Sequence, residues 1–284
     1  MDGMSADTPA ERIDALNRDG LRVIQRPDLF LFGTDSVLLA DFASNAASAR
    51  NAATPSGRGE KPPKTGEASK ASEAGREAVL DLGTGSGVIM LLMSARMPHA
   101  RFTGIDIVPE MADMARRSVA LNGLEARISA ACLDMRKASE ALPRSFHRVV
   151  CNPPYGKAGA SFPSQNRARL IARHEVSCTP DDVAAAASAL LLPGGRLFMC
   201  HQPGRMLDVA DAMRAHKLTP KRARLVLPAP GYPPCLLLLE AVLHGRAGLS
   251  WDAPLLLRDE QGRETDDYRK AYGIKASDSS EAMR

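Results

Sequence analysis

Aromatic residues are scarce in this chain. One Trp, four Tyr and seven Phe make up 4% of 284 residues. That argues against a stacking-rich sheet of the kind that binds single-stranded RNA. Long apolar runs are lacking too. The richest, Val88–Met93 and Leu236–Leu239, fall far short of the ~18 residues that suggest a membrane span. Met1 to Arg12 is polar and acidic without an apolar stretch, so no secretory signal and no membrane partner are expected. The five cysteines, Cys132, Cys151, Cys178, Cys200 and Cys235, are odd in number and include no C-x-x-C pair. The six histidines form neither H-x-H nor H-E-x-x-H. A disulfide framework and a metal site are therefore not expected, and the thiols read as small buried residues of a cytoplasmic protein. Excess charge is slight. Lys and Arg number 37 against 33 Asp and Glu, a balance that permits an anionic partner without identifying one.

What is present is an ordinary globular balance, 44% hydrophobic and 25% charged. One stretch departs from it. Ser44 to Ala78 contains no Val, Ile, Leu, Met, Phe, Trp, Tyr or Cys. Such a segment cannot bury enough apolar surface to offset its ordering entropy, so residues 44–78 are expected to form a disordered linker or insertion. The remainder has the size of one α/β domain.

Before the linker, residues 1–43 are expected to form a cap over the site. Leu21–Gln25 alternates as a strand and Phe30–Phe32 follows Pro27-Asp28, which predicts a hairpin. Asp35 or Ser36 then caps a helix over Val37–Phe42. After the linker, over 79–274, strands and helices alternate. The strands are Val79–Leu82, Arg101–Asp106, Arg127–Ala131, His147–Cys151 and Arg196–Cys200. The helices are Ser86–Met97, Pro109–Asn122, Asp181–Leu192 and Pro203–His216. This order predicts a mainly parallel sheet with helices on both faces. Ala223–Leu227 and Cys235–Leu243 are joined by a link too short for a crossover helix, which predicts an antiparallel hairpin. Residues 275–284 read as a flexible tail.

Two motifs carry chemistry. Asp81-Leu-Gly83-Thr-Gly85-Ser-Gly87 follows a strand and opens a helix. Its glycines permit positive φ and close backbone approach. A dinucleotide loop meets a pyrophosphate, which the acid at Asp81 would repel. The acid favours a ligand bearing ammonium and sulfonium, hence S-adenosylmethionine rather than NAD. Asp106, ending the second strand, can accept ribose hydroxyls, and Asp134, after the third, an adenine amine. The second motif, Asn152-Pro153-Pro154-Tyr155, follows the fourth strand. The Asn152 oxygen and a backbone carbonyl can accept both hydrogens of a planar NH2, freeing its lone pair and stabilising the charge that develops on methylation. Tyr155 can stack on the plane that carries the amine.

Together these motifs resemble the class I S-adenosylmethionine-dependent amino-methyltransferases. The flanks, Gly20–Gln25, Phe32–Leu39, Arg167–Glu175, Leu255–Arg258 and Tyr268–Tyr272, resemble the bacterial tRNA-valine adenine-37 N6-methyltransferases. The resemblance implies a Rossmann-like, mainly parallel seven-stranded sheet and a tRNA substrate. It implies that Asp81, Gly83 and Gly85 line the cofactor's methionine end, Asp106 its ribose, and Asp134 with Met135 its adenine. Thr34 and Asp35 would close over the cofactor, which Asn152 also touches. Asn152, Pro153 and Tyr155 would hold the target adenine. S-adenosylhomocysteine would be the product of a monomer or homodimer. The insertion at 44–78 and Gly156 depart from the family pattern. Candidate RNA contacts are Arg167, Arg169, Arg173 and His174, with a second cluster at Arg214, His216, Lys217, Lys221, Arg222 and Arg224. The rival readings are a release-factor glutamine methyltransferase, an rRNA or DNA amino-methyltransferase, and a catalytically silent RNA-binding module.

Overall fold

The computed structural model describes residues 11–29, 31–46, 76–154 and 178–274. A sheet is built on β3 (Ala78–Leu82), β4 (Arg101–Asp106), β5 (Ile128–Cys132), β6 (Phe146–Cys151), β7 (Leu191–His201), β8 (Leu218–Leu227) and β9 (Leu236–Leu243). Their spatial order is β8-β9-β7-β6-β3-β4-β5. The pairs from β7 to β5 are parallel, while β9 runs antiparallel to both neighbours. The expected mainly parallel sheet and late antiparallel hairpin are both present. Two short strands, β10 (Ser250–Trp251) and β11 (Leu255–Leu256), add parallel to the outer side of β8.

Alternation along the strands assigns each side chain to a face. Val79, Val150, Phe198, Cys200 and Leu238 pack with α1 (Thr34–Ser44), α2 (Val88–Arg96) and the end of α3 (Pro109–Leu121). Leu80, Leu82, Val149, Leu197 and Met199 pack on the other face with α4 (Ala138–Ala141), α5 (Pro180–Leu190) and α6 (Met206–Ala215). The chain ends, among the described residues, in α7 (Asp266–Tyr272), which sits on α1. Arg18 and Arg96 donate to its last carbonyls, at Lys270 (2.9 Å) and Ala271 (2.6 Å) respectively.

Several boundaries differ from the sequence expectation. The N-terminal hairpin pairs β2 (Arg22–Gln25) with β1 (Arg12–Ala15), which precedes it, and Leu31 and Phe32 form no strand. The turn is made by Asn17, Asp19 and Gly20, all at positive φ. Pro27-Asp28 instead redirects the chain toward the helix, with Arg26 paired to Asp28 at 2.6 Å. Phe30 lies outside the described residues. β7 starts at Leu191 and absorbs Pro193-Gly194-Gly195 through a register irregularity against β6. β8 begins at Leu218, with Pro220 beside a register shift, where a residue lacking an N–H is tolerated. Of the expected 44–78 linker, 47–75 lies outside the described residues; Ser44 closes α1 and Ala78 opens β3.

The α1 helix has no basic residue in its own last turn. Its C-terminal carbonyls would stand unsatisfied at the negative end of the dipole. Arginines on the sheet supply the missing donors. Buried Arg148 of β6 donates to the Ala43 carbonyl and to that of Ala46 (3.1 Å), and pairs with Glu77 at 3.2 Å. Arg222 of β8 donates to the Phe42 carbonyl at 3.0 Å and stacks 3.9 Å over its ring. It also pairs with Glu240 (2.7 Å) and Asp252 (3.1 Å). Removing one member of such a buried set leaves its partners uncompensated. Arg148→Ala is expected to destabilise the fold by about 3–5 kcal/mol, measured as a lower urea midpoint.

Candidate active site

The glycine loop is pinned at the carboxyl edge of the sheet. Backbone N–H groups of Gly83 and Thr84 both donate to the Ile105 carbonyl at 2.9 Å. The loop then turns through Gly85 at φ +59°, a conformation costly for a residue with a Cβ. Gly104, opposite Asp81 in register, has a separate role: a Cβ there would stand 2.7 Å from the Thr84 hydroxyl. The space it leaves lets Thr84 reach under the loop. Composition alone did not distinguish Gly104 from other strand glycines.

Beneath the loop lies Asp81, fully buried. Thr84 Oγ1 donates to its Oδ2 at 2.7 Å, while Oδ1 has no hydrogen-bond partner among the described residues. Burial pushes its carboxyl up to about 7, against the Thr84 hydrogen bond and helped by the nearby Asp106 charge. Asp106 is buried and engaged with the loop: Gly85 N–H donates to Oδ2 at 2.8 Å and Val108 N–H to Oδ1 at 2.9 Å. Asp134 accepts the Arg136 backbone N–H at 3.0 Å and pairs with its guanidinium at 2.7 Å. The Arg136 side chain holds the Asp134 carboxyl below its usual range.

These groups surround one pocket of about 290 Å³. Asp35, Gly83, Gly85, Asp106, Asp134, Met135, Asn152 and Pro153 all line it. Thr34 and Asp81 do not. Thr34 accepts from the Tyr272 hydroxyl at 2.9 Å, and Asp81 lies below the loop. The pocket also takes in Ser36, Arg136, Cys178 and Asp182, which the sequence did not single out as site residues. The Asn152 side chain is bracketed: Nδ2 donates to Ser36 Oγ at 3.0 Å and the Cys200 thiol donates to Oδ1 at 3.1 Å. Tyr155, Arg167, Arg169, Arg173 and His174 lie outside the described residues, as does Gly156.

The second basic cluster does not converge on this pocket. His216 and Lys217 precede β8, at the opposite edge of the sheet from the loop. His216 meets Asp181 at 2.9 Å, Arg224 pairs with Asp267 at 2.5 Å, and Arg222 is held under α1. The charges of Arg222 and Arg224 are thus paired within the fold.

The donor set fits a cationic, hydroxyl-rich ligand. Asp106, Asp134 and an apolar wall from Val88, Ile107 and Met111 meet in the pocket, with the Asp81 carboxyl buried beneath the loop. The Asp81 carboxyl also has a consequence for stability. Its folded pKa lies above the ordinary carboxylate value of 3.8, so ionisation costs the fold stability as pH rises from about 4 to 7. Asp81→Asn removes that cost. The variant is expected to gain on the parent chain between pH 5 and pH 8, by at most about 3 kcal/mol, in urea denaturation at the two pH values.

Residues 79–181 match a methyltransferase domain family. The chain is 35% identical over 164 residues to the tRNA1(Val) (adenine(37)-N6)-methyltransferase of Porphyromonas gingivalis, a match covering 57% of this chain and 64% of that protein. It is 34% identical over 150 residues to the release factor glutamine methyltransferase of Deinococcus radiodurans, covering 48% and 49%. The chain thus spans less than two thirds of the length of these curated relatives. A crystal structure of a predicted O-methyltransferase from Agrobacterium tumefaciens superposes with a TM-score of 0.60 at 24% identity, covering 85% of this chain and 98% of that one. The chain thus has a Rossmann-like methyltransferase fold and matches a methyltransferase domain family over residues 79–181, and over part of its length it resembles the tRNA1(Val) (adenine(37)-N6)-methyltransferases.

Proposed function

We propose that the chain transfers a methyl group from S-adenosylmethionine to the N6 amine of an adenine in tRNA. The observation that carries this reading is the convergence of Asn152 and Pro153 on the pocket formed by the glycine loop, Asp106 and Asp134. When bound, S-adenosylmethionine supplies the electrophilic methyl group. Asp81, buried beneath the loop, would act on its ammonium through charge rather than by lining the pocket, an attraction that would also favour the ionised carboxyl. Asp106 takes the ribose hydroxyls while still bracing the loop, since each carboxylate oxygen can accept more than one hydrogen. Asp134 and Met135 flank the adenine, with Arg136 sharing the carboxylate.

On the acceptor side, the Asn152 oxygen and the backbone carbonyl next to Pro153 receive the two amine hydrogens. Both are set in place before the reaction, so they stabilise the developing positive charge without reorganising. The apolar wall excludes water and strengthens these hydrogen bonds. An exocyclic adenine amine fits such a pair when its base is unstacked, as in an anticodon loop. Arg167, Arg169, Arg173 and His174 are proposed to meet the RNA backbone, and Tyr155 to stack on the base. A side-chain amide fits the same two acceptors. The release factor relative therefore supports a second reading, glutamine N-methylation.

The two readings separate in one experiment. Tritiated S-adenosylmethionine is offered to bulk tRNA, bulk rRNA and protein in parallel, with nucleoside analysis of the labelled fraction. N6-methyladenosine in tRNA is expected; label confined to protein would establish the glutamine reading instead. Asn152→Ala is expected to lower kcat by about 100-fold or more, with the cofactor Kd within about threefold by calorimetry. Asp106→Ala should behave oppositely. Loss of a carboxylate that both braces the loop and accepts hydroxyls should weaken cofactor binding by about tenfold or more in the same assay.

A further inference from the structure

The structure points to Ser36 as the residue that positions Asn152; we infer that its hydroxyl sets the side-chain amide in the orientation amine recognition requires. The inference rests on the reading of Asn152 as an amine acceptor and deepens it. An asparagine amide is nearly symmetric in shape but not in chemistry: one end accepts and the other donates. Its oxygen meets the amine hydrogens only while the amide plane is held, and a partner at each end holds it. Ser36 Oγ accepts from Nδ2 at 3.0 Å, and the Cys200 thiol donates to Oδ1 at 3.1 Å. Both groups are buried, at 5% and 0% exposure, so bulk water does not readily substitute for either. The thiol is a weak donor, and the serine bond is the stronger of the two. Donation from Nδ2 also draws electron density onto Oδ1 through amide conjugation, making it a better acceptor.

Ser36 can do this because its own place is overdetermined. It lies in the first turn of α1, where its backbone N–H donates to the Gly33 carbonyl at 3.2 Å and to Asp35 Oδ1 at 2.8 Å. At the other end of α1, Arg148 holds the carbonyls of Ala43 and Ala46. Arg148 lies within β6 and Asn152 follows its last residue. The helix and strand are therefore tied at two points. The spans match: Ser36 to Ala43 rises about 10 Å along a helix, and Arg148 to Asn152 about 13 Å along a strand. The buried β6 arginine thus fixes the helix whose serine orients the amide at the strand's end. Tyr272 adds a third anchor by donating to Thr34, two residues before Ser36.

Three variants test the assignment on whichever acceptor the parent chain labels, so a failure of the tRNA reading leaves the test intact. Ser36→Ala is expected to lower kcat by about 10- to 100-fold, with the acceptor KM, the cofactor Kd and the melting temperature little changed. Ser36→Thr, which keeps the hydroxyl, should recover to within about threefold of the parent kcat. The third readout needs no turnover. The Asn152 side-chain amide pair, identified in a 15N-correlated spectrum by its loss in Asn152→Ala, should be shifted and less protected from hydrogen exchange in Ser36→Ala and restored in Ser36→Thr. An unchanged kcat in Ser36→Ala would overturn the inference. So would a kcat loss matched by an equal loss of cofactor affinity, or an amide pair unaffected by the substitution.

Discussion

The architecture of the site depends on how α1 is fastened to β6. The helix carries its N-terminus to the pocket and its C-terminus to the interior of the sheet's face. An α-helix leaves its last carbonyls unbonded, and here they fall in a region with little water. Arg148 and Arg222 satisfy them from neighbouring strands, and Glu77, Glu240 and Asp252 balance the arginine charge. A buried guanidinium is costly alone, but this one serves two ends at once, the helix dipole and a carboxylate. The helix is then held along the strand that delivers Asn152. Ser36, Asp35 and the loop before them arrive at the pocket because the far end of the helix is anchored.

Electrostatics around the glycine loop follow a different logic. Asp81 and Asp106 sit close enough for each charge to raise the cost of the other. Such repulsion is tolerable only if part of it is offset locally and the rest by a ligand. Loop N–H groups from Gly85 and Val108 offset Asp106. The Thr84 hydroxyl offsets one oxygen of Asp81 and leaves the other buried without a donor among the described residues. The acids therefore have different duties. Asp106 organises the loop that a cofactor would touch, and Asp81 stores an unfavourable charge that a cation would relieve. Asp134, nearer to solvent, is balanced by Arg136.

Much of this was legible in sequence because it is local. A glycine loop after a strand, an acid at the end of the next strand and Asn152-Pro153-Pro154 are each contained within a few residues. The backbone conformations they demand are set by the residues themselves. The hairpin at the N-terminus was misplaced for a related reason. Pro27-Asp28 and Asn17–Gly20 are both turn signals, and only packing decides which one closes a strand pair. Ile13 and Ile24 face each other across β1 and β2, and Ser118 of α3 accepts the Ile24 N–H at 3.0 Å. In the basic cluster around Arg222, charge in the sequence did not reveal pairing. Three of its members meet acids contributed by distant segments.

By itself the sequence determined the alternation of strands and helices, the parallel core with its antiparallel end, and the two motifs at one edge. Side-chain periodicity and turn chemistry act over short range, so they survive without knowledge of the fold. Only the tertiary structure decided that Asn152 meets Ser36 and Cys200, that Asp81 lies beneath the loop rather than on the pocket wall, and that Arg148 and Arg222 cap a helix instead of facing solvent. Each of those contacts joins segments far apart in the chain. They form only once burial has brought the segments together and water no longer competes for their polar groups.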